Sequence, residues 1–196
     1  MPEDGIGLVL CLGNPGPRYA MTWHNAGFWT ADILAGEAGV SFRNAGLFHA
    51  AVLPGGVHLV KPATYMNESG RAAGALLNAR GLTPSEMLAV CDDANLPLGA
   101  LRLRAEGSSG GQKGLRSIID VLGTDQFPRL RLGIGPVPPE VPLSDFVLGR
   151  VPKHLEERAA SMARRAAECV LHVLQAGLAD AMARYNARHD PSFETG

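Results

Sequence analysis

Four short polar segments stand where loops leave apolar runs of this chain. They are Gly13-Asn14-Pro15-Gly16 with Tyr19 and His24, Tyr65-Met66-Asn67 with Ser69-Gly70, Asp92-Asp93, and Gly110-Gly111-Gln112-Lys113-Gly114. Their residue types can carry chemistry. A neutral imidazole, with an ordinary pKa of about 6.5, is the side chain that can take a proton from water near neutral pH. Asparagine amides donate and accept without titrating, and a glycine-rich turn before a helix can hold an anion. Each segment alone leaves its reading open. A histidine before a helix serves as readily at the helix end as in proton transfer, and Asp92 suits a turn or a cap as well as a site.

The elements that must position these groups follow from periodicity. Residues 7–12 form a short apolar run ended by Gly13, Pro15, Gly16 and Pro17, as expected of a buried strand feeding a tight loop. Apolar residues at helical spacing predict a helix over about 25–38, and Gly39 stops it. Residues 48–53 and 57–61, split by Pro54-Gly55-Gly56, read as a hairpin, and a helix is expected over 69–80 with Gly81 past its end. Thr83-Pro84-Ser85-Glu86 carries capping-box chemistry, so a single turn should precede a strand over 87–91 that ends at Asp92 and Asp93. Leu101-Arg102-Leu103-Arg104 alternates as a half-exposed strand with its arginines on one face.

Leu115, Ile118, Ile119 and Leu122 mark a helix ending at Gly123, and 130–134 follows as a strand. The four prolines in 135–145 predict an irregular surface loop, a candidate lid. A long amphipathic helix over about 153–176 and another over 178–188 close the chain. Alternation of strands and helices, with one hairpin, predicts an α/β three-layer sandwich: a twisted mixed sheet, helices on both faces and a long C-terminal helix. One catalytic domain over 1–196, with tails at 1–6 and 190–196, fits the length. In such sheets function gathers at strand C-terminal ends, where Asn14, the 62–67 segment and Asp92 fall.

Composition narrows the classes. With 46% hydrophobic and 19% charged residues the chain is ordinary for a globular protein, and no apolar stretch is long enough to span a bilayer. Three cysteines without paired spacing give neither a disulfide framework nor a zinc site, and the acidic N-terminus is unlike a signal peptide, so a cytoplasmic location is expected. No P-loop, dinucleotide fingerprint or metal-ligand spacing is visible, so neither metal nor cofactor is expected. The net charge of −1 hides an asymmetry. From Arg102 to Arg131 there are six cations (Arg102, Arg104, Lys113, Arg116, Arg129, Arg131) against three acids (Glu106, Asp120, Asp125). That is either an unevenly charged solvated surface or a face that grips a few phosphates.

In order and in combination these motifs resemble the bacterial peptidyl-tRNA hydrolases. The resemblance runs from Leu8 to about Asn186. It rests on Leu12-Gly13-Asn14-Pro15-Gly16, Trp23-His24-Asn25-Ala26-Gly27, Lys61-Pro62 with Thr64-Tyr65-Met66-Asn67, the aspartate after a strand, residues 110–114, Arg129-Leu130-Arg131 with Gly133-Ile134-Gly135, and Phe146-Val147-Leu148-Gly149. It implies hydrolysis of the ester between a peptide and the 3′ ribose of tRNA, with peptidyl-tRNA, held at its acceptor stem and 3′ end, as partner to a monomer. His24 would be the general base and Asp92 its orienting partner, with Asn14 also in the catalytic set. Tyr19, Met66, Asn67 and Lys113 would bind substrate, and Arg104 and Arg131 would contact tRNA phosphates.

The chain also departs from that pattern. Cys91 stands where the family often has histidine and reads as a buried strand residue. Glu140 occupies a lid position that is basic in many relatives. Gly111-Gln112-Lys113-Gly114 replaces the commoner Gly-His-Asn-Gly, and Lys113 keeps a donor and adds a cation but loses the acceptor, which favours phosphate binding over holding water. Two other classes of function make different demands. A non-catalytic RNA-binding protein on the same scaffold should lack the base or its aspartate, and a nucleoside phosphorylase would need nucleobase recognition, for which no signal is present.

Overall fold

The computed structural model describes residues 5–186. Seven strands form one sheet in the order β2-β3-β4-β1-β5-β7-β6: β1 (Leu8–Cys11), β2 (Arg43–Asn44), β3 (Phe48–Val52), β4 (His58–Pro62), β5 (Met87–Pro97), β6 (Leu101–Arg104) and β7 (Arg129–Gly135). The helices are α1 (Ala26–Glu37), α2 (Ser69–Arg80), α3 (Lys113–Leu122), α4 (Leu143–Leu148), α5 (Glu156–Ala176) and α6 (Leu178–Asn186). Neighbours of β1 on both sides run parallel to it, as does β7 beside β5, whereas β2-β3, β3-β4 and β6-β7 are antiparallel. The sheet is therefore mixed, as the hairpin implied.

β1 is apolar at every position because both of its faces are covered. Val9 and Cys11 join the core beneath α1 and α5, while Leu8 and Leu10 join the core beneath α2 and α3. Successive strand side chains point to opposite faces, so one continuous apolar run serves two helical layers. α5 carries the long amphipathic pattern and buries Ala159, Met162, Ala166, Val170 and Val173, small and medium side chains that let it lie close to α1 and the sheet. The edge strand β6 is closed by a side chain: Asn186 of α6 accepts from the Leu103 N–H (2.7 Å) and donates to its carbonyl (2.9 Å). An amide thus stands in for a neighbouring strand and blunts an edge open to further pairing.

Three expectations change. β5 does not end at Cys91 but runs through both carboxylates to Pro97, because pairing with β7 continues at Asp92 with Leu132 and Asp93 with Gly133. A helix, α4, rises inside the proline-rich segment once Pro142 is passed. Its first N–H groups, of Asp145 and Phe146, bond to the Pro142 carbonyl, a start that proline tolerates. The long helix begins at Glu156 after a separate turn over Lys153–Leu155. The Thr83 turn forms as expected, with Glu86 accepting from the Thr83 N–H (2.8 Å) and hydroxyl (2.7 Å), contacts that hold the Glu86 carboxyl below its ordinary range. The expected tails at 1–6 and 190–196 and the end of the last helix at 188 lie wholly or largely outside the described residues.

α1 sits hard against the sheet. A Cβ at Gly27 would come 2.4 Å from the Leu12 carbonyl oxygen and 2.6 Å from that of Val90. Both are backbone atoms of the central strand region and cannot yield as a flexible side chain would. Gly27→Ala should therefore push α1 outward and cost about 2 kcal/mol of stability. A thermal melt checks this, and an unchanged Tm would show that the close approach is unimportant.

Candidate active site

The chain crosses from one side of β1 to the other between β4 and β5, so the C-terminal ends of β1 and β5 flank the point where the strand order reverses. A crevice opens there in sheets of this kind. Asn14 follows β1, Asp92 lies on β5, and the single turn Trp23–Asn25 carries His24 to the same place just before α1. Nδ1 of His24 lies 2.9 and 2.8 Å from the two carboxylate oxygens of Asp92. The pair is almost sealed, His24 being 5% and Asp92 2% exposed. The carboxylate can only accept, so it selects the tautomer with the proton on Nδ1 and leaves Nε2 as the proton acceptor.

The turn that holds His24 is braced from two sides. Trp23 stacks on Phe146 of α4 with ring centroids 6.1 Å apart. Its N–H reaches the Gly149 carbonyl (3.3 Å), and the Val151 N–H bonds to Met21 (2.9 Å). Asn25 fixes Asn14 in both directions, accepting from its backbone N–H (2.8 Å) and donating to its carbonyl (3.0 Å). The Asn14 side chain accepts from the Met66 N–H at 2.8 Å, which fixes the amide orientation and leaves its nitrogen without a protein partner among the described residues. Asn14 and His24 line the same cleft.

That cleft has two parts that meet at His24, Lys113, Ser144 and Val147. The larger, of about 700 Å³, is lined by Asn14, Tyr19, Met66 and Asn67 among others. The smaller, of about 100 Å³, lies over Asp92, Gly110, Gly111 and Gln112. The structure thus brings His24, Asp92, Asn14, Tyr19, Met66, Asn67 and Lys113 together. Close packing sets the floor: Met66 is buried against the start of α3, where a Cβ at Gly114 would approach its sulfur to 2.5 Å. Trp23 and Phe146 also border a separate cavity of about 610 Å³ that has neither His24 nor Asp92 in its wall.

The two arginines expected on phosphates behave differently. Arg104 is exposed on β6, as is Arg102. Arg131 is not available as expected: it is 8% exposed, pairs with Asp93 at 2.8 Å and donates to the Ser108 carbonyl at 2.9 Å. Arg129 is buried beside it and bonds to the carbonyls of Gly107, Ser108, Asp125 and Phe127. Desolvation, with the Arg131 charge next to it, lowers the Arg129 pKa from its ordinary value. These side chains spend their donors on Asp93 and on the carbonyls of Gly107, Ser108, Asp125 and Phe127, which sequence spacing does not distinguish from a phosphate grip.

Several site residues lay outside the sequence-based set. Tyr65 meets Tyr19 edge-to-face with centroids 6.3 Å apart, and the Arg18 guanidinium lies 4.3 Å from the Tyr19 centroid and bonds to its hydroxyl. Asn25 and Gln112 are buried and hold Asn14 and Asp92 respectively. Tyr65, Asn25 and Gln112 stood inside the quoted motifs, but only the fold shows which atoms they reach. Cys91 is fully buried, and desolvation, reinforced by Asp92, raises its thiol far above the ordinary range, as befits a structural thiol. Among the described residues no group of three or more His, Cys, Asp or Glu side chains is clustered as metal ligands would be, and no helix is long and apolar enough to cross a membrane.

The chain is similar to known proteins in both sequence and fold. The family profile described as peptidyl-tRNA hydrolase matches residues 8–192. A peptidyl-tRNA hydrolase of Chloroflexus aurantiacus is 45% identical over 184 residues, spanning 91% of this chain and 98% of that protein. One from Elusimicrobium minutum is 41% identical over 185 residues, spanning 92% and 99%. The crystal structure of the Acinetobacter baumannii peptidyl-tRNA hydrolase superposes with a TM-score of 0.86 at 33% identity, covering 94% of this chain and 96% of that one. A buried His–Asp pair at the strand reversal, reached from a cleft lined by asparagines, is thus found in a chain that belongs to the peptidyl-tRNA hydrolase family.

Proposed function

We propose that this chain's hydrolysis of peptidyl-tRNA runs by direct attack of water, with His24 as general base and Asp92 as its orienting partner. The observation that carries the reading is the contact of both Asp92 oxygens with Nδ1 of His24 inside a cleft wall. Water held near Nε2 gives up a proton as its oxygen attacks the ester carbonyl. The resulting imidazolium is stabilised by Asp92 and returns the proton to the departing 3′ ribose oxygen. The products are a peptide carboxylate and tRNA with a free 3′ end. No protein nucleophile is required, consistent with Cys91 of β5 being buried in the core beneath α2 and α3.

The Asn14 amide nitrogen is free to donate toward the reacting carbonyl or the peptide main chain, and such a fixed donor favours the oxyanion without reorganising. Asn67 and Lys113 offer further polar contacts around the larger part of the cleft. Tyr19 and Tyr65 present aromatic surface suited to the terminal base, because stacking recognises unpaired nucleotides. Exposed Arg104 and Arg102 extend a positive face toward the acceptor stem. The chain acts in this reading as a cytoplasmic monomer, in which the whole sequence is one catalytic domain without metal or cofactor.

Release of free tRNA from N-acetyl-aminoacyl-tRNA in EDTA tests the mechanism. Wild-type turnover should persist, and His24→Ala should lose at least about 10²–10⁴-fold in kcat with its melting curve intact. Retained turnover in that variant removes His24 as base. Asp92→Asn replaces one of the two acceptor oxygens facing Nδ1 with an NH₂ donor and removes the charge that stabilises the imidazolium, and should lower kcat about 100-fold or more with KM within about threefold.

The arginines separate by readout. Arg104→Ala should raise KM and flatten the log–log salt dependence of kcat/KM by about one unit. Arg131→Ala leaves Asp93 buried and unpaired, and should cost about 3–5 kcal/mol of stability, seen as a Tm drop of roughly 10 °C. A stable Arg131→Ala protein with a weakened salt dependence would reinstate it as a phosphate contact.

A further inference from the structure

Asp92 is held from two directions. His24 reaches it from the layer of α1, and Gln112 reaches it from the layer of α3. Nε2 of Gln112 donates to Oδ1 of Asp92 at 3.0 Å, while Oε1 accepts from the Leu115 N–H at 2.8 Å as the cap of α3. The second contact prevents the amide from flipping, since turning it over would place a carbonyl oxygen against the carboxylate and an NH₂ against an N–H. Gln112 is 7% exposed, and its nitrogen also lies 3.3 Å from the Met66 sulfur.

We propose that Gln112 is a positioning residue of the hydrolysis: a non-titrating amide that locks the Asp92 carboxylate in the orientation where both oxygens bear on Nδ1 of His24. The inference rests on the His24–Asp92 reading above. A carboxylate held only by His24 can turn about its own bond and present one oxygen. A donor fixed to the start of α3 removes that freedom, and a hydrogen bond to an ionised acceptor is stronger than one between neutral groups. Because an amide neither gains nor loses a proton in the working range, it holds Asp92 equally well at every pH at which His24 is neutral. The other charged groups nearby are Lys113, which borders the same cleft, and Asp93, which is engaged by Arg131. A histidine, the commoner residue at this position in the family, would add an ionisation of its own.

Gln112→Met removes the donor to Asp92 at nearly the same length and without adding a charge. It also removes the acceptor for the Leu115 N–H, so a role limited to capping predicts a lower Tm with kcat unchanged in the folded protein. The positioning role predicts that kcat of the folded protein falls by about tenfold or more near pH 7 with KM within about threefold. Gln112→His, which can restore an N–H to Asp92, should recover kcat to within about threefold of wild type above about pH 7.

The full chain would be assayed from about pH 5.5 to 9 on N-acetyl-aminoacyl-tRNA, beside His24→Ala. A kcat for folded Gln112→Met that matches wild type overturns the proposal and leaves the base assignment intact. Turnover by His24→Ala would instead overturn the base assignment. If Gln112→Met does not fold, Gln112→His decides alone: a folded protein that has lost about tenfold or more in kcat above pH 7 overturns the donor role.

Discussion

Burying a carboxylate is costly unless it is paired and hydrogen-bonded, and Asp92 is placed where the fold can meet that demand. It sits on β5, an interior strand next to the reversal in strand order, with an imidazole on one side and an amide on the other. The geometry of the site follows from this arrangement. His24 must arrive on a turn held close to β1, so Gly27 lets α1 approach the Leu12 and Val90 carbonyls. Gln112 must arrive at the start of α3, so Gly114 lets that helix close on Met66.

The two helical layers do separate work. The α1–α5 layer carries His24, the proposed base, and fastens its turn through Trp23 to α4. The α2–α3 layer carries the parts that hold still: Met66, which binds the Asn14 side chain through its N–H, and Gln112, which binds Asp92. α4 belongs to both regions of the cleft, since Ser144 and Val147 line each part. The proline-rich segment is therefore less a loose flap than the approach to a helix that stacks on the turn bearing His24. Near the other edge, the buried Arg129 and Arg131 stiffen the 107–109 backbone, which leads to Gly110 and Gln112.

Much was legible in the chain. Continuous apolar runs announced strands covered on both faces, helical spacing placed α1, α2, α3 and α5 to within a few residues, and Thr83 with Glu86 set a turn. Residue type and order also determined the family, and with it the candidate base, aspartate and asparagines. These signals are local: periodicity, caps and motif spacing are properties of neighbours in sequence.

What the tertiary structure alone decided is which polar atoms meet. Ionised arginines at alternate positions of a strand look the same whether they face water or a carboxylate, and only the Asp93 contact shows Arg131 to be buried. Charge at Asp92 and Asp93 reads as a loop that would end the strand at Cys91, whereas partners from distant segments allow the strand to continue. Gln112 reads as a polar residue before a helix; that its nitrogen reaches Asp92, 20 positions away, depends on how α3 docks against the sheet. The sequence by itself determined the groups and the order of the elements. The tertiary structure determined their pairing, because a hydrogen bond depends on distances of a few tenths of an ångström that packing fixes and spacing does not.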